Sequence, residues 1–220
     1  MIVGVSGKAR SGKDQLAKYL IEIFKSKYDR EFYHIAFAAE LKNMCKFQFG
    51  LDDDQLYGDK KEIPDNRYLK PHNKWKDEIT ESELVTNSVT VIYWTPREIM
   101  QELGAFYRKI NYDFWVIALR KWMEDLERKG HKDYIITDVR HINEAEFIKK
   151  ENGFLIRIIR ESENKIHGID HESETGLDAY KDFDMIVENN GSLEDLKKAS
   201  HNIVDAILLI EKLSKDRRII

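Results

Sequence analysis

Short apolar runs alternate with helix-spaced apolar residues along this chain, and polar stretches interrupt them at two places. Residues 2–6 (I-V-G-V-S) form a run of buried-strand type that ends at a glycine-bracketed turn. From 14 to 25, Leu16, Leu20, Ile23 and Phe24 recur on one helical stripe. Residues 32–38 suit a second strand and 39–49 a helix; Tyr134 to Thr137 form a third run ending in Asp138. A helix over 141–151, a strand over 154–159 and a fifth strand over 184–188 follow. The last helix opens with a capping box, Ser192 and Asp195, and is expected to bury Leu196, Ala199, Ile203, Ile207 and Ile210. Strands alternating with helices predict an α/β fold, with a mainly parallel five-stranded sheet covered on both faces in three layers.

Residues 50–83 break the alternation: they are highly charged and carry Tyr57, Tyr68 and Trp75. Residues 84–94 alternate in places, as a strand would, and 50–94 together read as an insertion into a single domain spanning 1–220. The polar stretch 161–182 reads as a lid or loop, because long irregular segments in compact domains are usually functional or disordered. The three aromatics suit either base stacking or packing of the insertion. Trp115, Trp122 and Ile110 are expected in the core, and Cys45 as filler on an apolar helix face.

Charge then narrows the partners. Lys and Arg number 36 against 40 Asp and Glu, a net charge of −4, which argues against polymeric nucleic acid and against a membrane surface. One cysteine excludes an intrachain disulfide and a cysteine-rich zinc site. No apolar run approaches the ~20 residues of a spanning helix, so a cytoplasmic protein is expected. A homodimer is compatible with these features.

The segment G-K-A-R-S-G-K-D at 7–14 lies between the first strand and the first helix. A phosphate-binding loop needs glycines that let backbone N–H groups turn around an anion, a lysine for the outer phosphates, and a helix N-terminus aimed at the charge. Gly7, Gly12 and Lys13 stand at that spacing, with Lys8, Ala9, Arg10, Ser11 and Gln15 completing the cradle. Asp14 occupies the place where Ser or Thr usually binds magnesium. Its carboxylate is suited to magnesium, or simply to the positive helix end. Ligands of open parallel sheets sit beyond the carboxyl ends of strands, which places Asp138 near magnesium and Arg140 near phosphates; the alternative is an ordinary strand-end turn.

The helix T-P-R-E-I-M-Q-E-L-G-A-F-Y-R opens at Thr95 with Pro96 at its first position and Glu98 closing a capping box. Ile99, Leu103, Phe106 and Ile110 are expected on its buried face. Arg97, Gln101, Gly104 and Arg108 share a narrow stripe opposite. A cation in the first turn and an interior glycine are both unfavourable in a plain solvated helix, and both suit an anionic ligand.

The loop, this helix, D-F-W-V, D-V-R-x-x-N-E-A, H-E-S-E-T-G-L and N-N-G-S-L-E-D-L together resemble bacteriophage-type deoxynucleoside monophosphate kinases, in that family's order from residue 4 to about 197, with 50–94 the poorly matched part. The resemblance implies a P-loop kinase using ATP and Mg2+ to phosphorylate a deoxynucleoside 5′-monophosphate, in the host cytoplasm if phage-encoded. By position it implies that residues 7–14 hold the ATP phosphates and that Lys42 reaches the acceptor phosphate. Arg97, Gln101 and Arg108 would line the monophosphate site, Arg160 and 161–174 the lid, and Asn190 and Gly191 the adenine. His171, Ser173 and Glu174 fall in that lid motif on the substrate side. Glu40, Ala105 and Asn190 depart from the family's usual Pro, Thr and Asp.

Transfer to a monophosphate needs positioning and charge neutralisation rather than a base, with Lys13, Arg10, Arg140, Arg157 and Arg160 as candidate cations. His167 and His171 lack the partners of a zinc site. Rival readings are a P-loop kinase for another phosphorylated acceptor, such as phosphomevalonate, and a nucleotide-dependent assembly ATPase.

Overall fold

The computed structural model describes residues 1–70, 92–161 and 175–216. The chain divides into two compact units, Met1–Ala39 with Asn111–Ile220, and Glu40–Ile110.

In the first unit, five parallel strands run in the order β2-β3-β1-β4-β5: β1 (Ile2–Ser6), β2 (Tyr33–Ile35), β3 (Tyr134–Val139), β4 (Phe154–Ile159) and β5 (Met185–Glu188). Helix α1 (Lys13–Tyr28) follows β1, and the later helices of this unit are α5 (Phe114–Arg128), α6 (Ile142–Lys150) and α7 (Leu193–Asp216). Alternation along β3 sends Ile135 to one face and Tyr134 and Ile136 to the other. The first face packs Val3, Val5 and Ile156 against Leu16, Leu20 and Phe24 of α1 and Ile203, Val204 and Ile207 of α7. The second packs Leu155 and Ile136 against Leu119 and Met123 of α5 and Ile148 of α6. The sheet is thus covered on both faces, as its unbroken apolar strands require, and each fully buried Leu, Ile or Phe contributes roughly 1.5–3 kcal/mol.

Helix α5 was not expected. Its signal is plain in retrospect: Trp115, Leu119, Met123 and Leu126 are buried at spacings of four, four and three. In α7, Ser192 and Asp195 make the expected capping box, with Ser192 N and Oγ donating to the carboxylate at 2.9 and 2.7 Å. Ile210, expected in the core, is instead 43% exposed. The buried stripe runs through 196, 200, 203, 204 and 207, and its continuation falls on Glu211, which pairs with Arg30 at 2.7 Å.

In the second unit, α2 (Ala39–Gln48) leads to the short α3 (Asp53–Leu56), a 3-10 turn at Asp59–Glu62, and α4 (Pro96–Ile110). None of the five strands comes from this unit. Leu69 and Tyr93 form an isolated antiparallel bridge, and Trp94 N donates to Tyr68 O at 2.8 Å. The rest of the strand-like 84–94 stretch, and Trp75, lie outside the described residues. Asp65 ties the unit together: its buried carboxylate accepts Arg67 Nε at 2.9 Å and Gln55 Nε2 at 2.9 Å, and its N–H donates to Trp94 O. The Arg67 guanidinium holds the Asp65 carboxyl well below the usual carboxylate range.

Helix α4 buries Ile99 as expected, but the rest of its expected faces is corrected. The capping box is present: Thr95 N donates to Glu98 at 2.9 Å and Glu98 N to Thr95 Oγ1 at 3.2 Å. However, Phe106 and Ile110 are 54% and 66% exposed, while Gly104 is buried and Arg97, Gln101 and Arg108 are half-buried. Leu41 of α2 lies over Gly104, so the polar stripe turns toward the rest of the unit and the aromatic end turns out. Ile110 therefore does not join the core, unlike Trp115, which is buried, and Trp122, which is partly so.

Candidate active site

The phosphate loop leaves β1 at the centre of the sheet, between β3 and β4, and enters α1 at Lys13. Arg10 and Gly12 both adopt left-handed backbone, with φ of 62° and 94°. Gly12 precedes the helix, and a Cβ there would stand 2.4 Å from Asn189 Nδ2, so only glycine fits both the angle and the space. Ser11 N closes the turn onto Lys8 O at 3.2 Å, and the buried Ser11 Oγ has no hydrogen-bond partner. The first-turn amides of α1 thus open toward the loop with the positive end of the helix dipole.

Lys13 is 12% exposed, with Nζ 3.5 Å from Asp14 Oδ2, and Asp14 itself is 66% exposed. Gln15 is half-buried on the same turn, and Ala9 likewise in the loop. From the other edge, Asn189, just past β5, donates Nδ2 to Ser11 O at 2.8 Å. This bond brings Asn190 and Gly191 to the same end of the sheet as the loop. Asn190 Oδ1 accepts Glu161 N at 2.9 Å, fixing the exit of β4. Asn189 was not singled out from the sequence, where two adjacent asparagines give no sign of which one turns inward.

Asp138 does not stand open at the end of β3. Its two oxygens accept Phe37 N and Ala38 N, each at 2.8 Å, and so hold the connection from β2 to α2. Arg140 is half-buried one turn on, and its N–H donates to Glu144, which with His141 caps α6. Asn143 Nδ2 donates to Tyr112 O and Asp113 Oδ1, so the Asn-Glu-Ala motif has a structural explanation. Arg160 is exposed beyond β4, whereas Arg157 points inward to Ser6 Oγ at 2.9 Å.

Lys42, Arg97, Gln101, Gly104 and Arg108 all belong to the second unit. Lys42 Nζ lies 4.0 Å above the Tyr57 ring, and Arg97 pairs with Glu62. Cys45 is buried, and burial pushes its thiol up to about 11, so it is unreactive filler as expected. His167, His171, Ser173 and Glu174 lie outside the described residues. Among the described residues no cluster of three or more His, Cys, Asp or Glu could hold a metal, and no helix is long and apolar enough to cross a membrane.

Residues 54–199 match the family model of deoxynucleotide monophosphate kinase. A protein of Acanthamoeba polyphaga mimivirus, provisionally called a deoxynucleotide monophosphate kinase, is 31% identical over 218 residues, 93% of this chain and 96% of the relative. The chain belongs to the deoxynucleotide monophosphate kinase family. Within that family, the deoxynucleoside-5′-monophosphate kinase of Escherichia phage T5 is 23% identical over 93% of this chain and 96% of its own length. The deoxynucleotide monophosphate kinase of Enterobacteria phage T4 is 30% identical over 47% of this chain and 42% of its own. Among solved structures, a sugar kinase from Janibacter sp. matches with a TM-score of 0.45 at 11% identity, across 93% of this chain and 94% of that one. The family match runs through 54–94, most of the stretch expected to be the poorly matched part. The loop at 7–14 precedes the residues that match the family model.

Proposed function

We propose that this kinase-family chain transfers the γ-phosphoryl group of ATP to a deoxynucleoside 5′-monophosphate, yielding the diphosphate and ADP. The observation that carries the reading is the phosphate loop: a left-handed Gly12 before α1, Lys13 at the helix start, and Asn189 holding the loop from β5. Its amides would bind the β- and γ-phosphates, and Lys13 would take up the charge that develops on the transferring group. Arg10, Arg140 and Arg160 are the remaining cations proposed for that role, and Asn190 and Gly191 for the adenine.

Lys42, Arg97 and Arg108 would hold the acceptor phosphate, with Gln101 beside them and Gly104 leaving room for close approach. A Cβ at 104 would meet Leu41 at an ordinary 3.4 Å, so packing inside the unit does not itself require glycine there. The pairing of Arg97 with Glu62 gives the acceptor phosphate a carboxylate to displace. No general base is needed, because the acceptor is already anionic.

Of the two carboxylates expected to hold magnesium, Asp14 is open on the first turn of α1, while both oxygens of Asp138 already accept amides. Asp14 therefore fits the ion better, and one protein carboxylate suffices for a metal carried largely by phosphates and water. Magnesium, when bound, would neutralise phosphate charge. The test is product analysis by 31P NMR after incubation with Mg-ATP and each deoxynucleoside monophosphate. A deoxynucleoside diphosphate is expected, and ADP with free phosphate as the only products would overturn the reading.

A further inference from the structure

Beside the phosphate loop lies a charged arrangement that the proposed chemistry does not use. Asp178 accepts Lys8 Nζ on one oxygen and Arg157 Nη2 on the other, each at 2.8 Å. Lys8 is the second residue of the loop. Arg157 uses Nη1 to donate to Ser6 Oγ at the end of β1, and lies 5.8 Å from the Phe183 ring centre. One carboxylate thus grips the loop at its entrance, through Arg157 and Ser6, and on its first arm, through Lys8.

Exposure separates the two bonds. Arg157 is 12% exposed, whereas Lys8 and Asp178 are 44% and 42% exposed. Exposed ion pairs contribute little to folding, so the Lys8 bond does little for stability. A negative charge this close to an anion site should also repel phosphates. Its presence needs another reason, and holding a loop that contains a left-handed Arg10 and Gly12 in shape supplies one.

We propose that Asp178 is a positioning residue for the donor nucleotide, fixing the phosphate loop through Lys8 and Arg157. The inference rests on the loop being the ATP site. Bracing and repulsion make opposite predictions: losing the charge weakens nucleotide binding if Asp178 braces the loop, and tightens it if Asp178 only repels.

The experiment is titration calorimetry of Mg-ADP on the full chain, as wild type, Asp178→Asn, Lys8→Met and the double variant, with a thermal melt of each. Asp178→Asn is expected to bind about tenfold more weakly, the low end of the scale of one charge-assisted hydrogen bond. In the Lys8→Met background the same change should cost at least about twofold less, because the shared bond is already gone. Melting temperatures should stay within about 3 °C of wild type. Asp178→Glu, which keeps the carboxylate, should retain more affinity than Asp178→Asn; if Asp178→Asn fails to fold, Asp178→Glu must bind within about threefold of wild type. Equal or tighter binding by Asp178→Asn, or an equal loss in both backgrounds, would overturn the proposal alone. No binding by wild type would overturn the donor-site reading beneath it.

Discussion

Around the phosphate loop, apolar side chains from the strands feed two clusters, and polar groups gather at strand ends, where the proposed nucleotide site lies. In Glu40–Ile110 more of the work falls to charges. Asp65 joins Arg67 and Gln55, Lys46 joins Asp53, Lys70 joins Glu98, and Phe47, Phe106 and Ile110 are left largely exposed. The difference shows where rigidity is spent. A phosphate cradle must be preformed to within tenths of an ångström, which a two-sided core provides. The role proposed for the second unit, recognition of an acceptor by charge, tolerates looser apolar burial.

If that contrast is right, substitutions in the first unit should strike the donor side of the reaction, and those in the second the acceptor side. The largest effect is expected for Lys13→Ala: kcat falling by about 10²–10³-fold, measured by single-turnover quench flow, with the far-UV spectrum unchanged. Gly12→Ala strains a φ of 94° and places a methyl against Asn189. It should cost about 1–3 kcal/mol in urea unfolding and abolish measurable nucleotide binding.

Arg97→Ala should raise KM for the acceptor about tenfold while leaving KM for ATP within twofold, the size of one lost charged hydrogen bond. An equal rise in both would break the division between the units.

Acid provides the next contrast. Because Arg67 lowers the Asp65 pKa in the folded state, that carboxylate stabilises the second unit at any pH above its unfolded value of 3.8, and the contribution disappears as pH falls below that. Hydrogen exchange from pH 4 down to pH 2 should therefore show residues 50–70 opening first, and Asp65→Asn should flatten that dependence. Smallest of all, Gly104→Ala should raise the melting temperature by a few degrees, since the helix gains up to ~1 kcal/mol and the methyl fits, while acceptor KM worsens. An unchanged KM would remove Gly104 from the acceptor site.

The same contrast explains what could be read from the sequence. Strand–loop–helix at the N-terminus was legible because backbone demands leave few residues able to serve: glycine at φ 94°, a lysine at the helix start, unbroken apolar strands. Both capping boxes were legible for the same local reason. Which way α4 faces was not, because Phe106 and Ile110 satisfy a helical apolar stripe equally well whether or not anything covers them, and Leu41 over Gly104 decided the matter. Asp138 illustrates a related limit. Sequence placed it correctly at a strand end, but only geometry reveals that two amides of a distant segment already occupy its oxygens. Helix α5 was less legible because Asp113 makes no side-chain cap, so no local signal marks where the buried period of Trp115, Leu119, Met123 and Leu126 begins.

The central claim, acceptor-dependent phosphoryl transfer, is tested most directly by coupled ADP release with Mg-ATP against dTMP, dGMP, dCMP, dAMP, hydroxymethyl-dCMP and phosphomevalonate, with Lys13→Ala as control. The account predicts ADP release only when one or more deoxynucleoside monophosphates are present, and release slowed by about 10²–10³-fold in the control. Release at the same rate without any acceptor, or with phosphomevalonate alone, would contradict it.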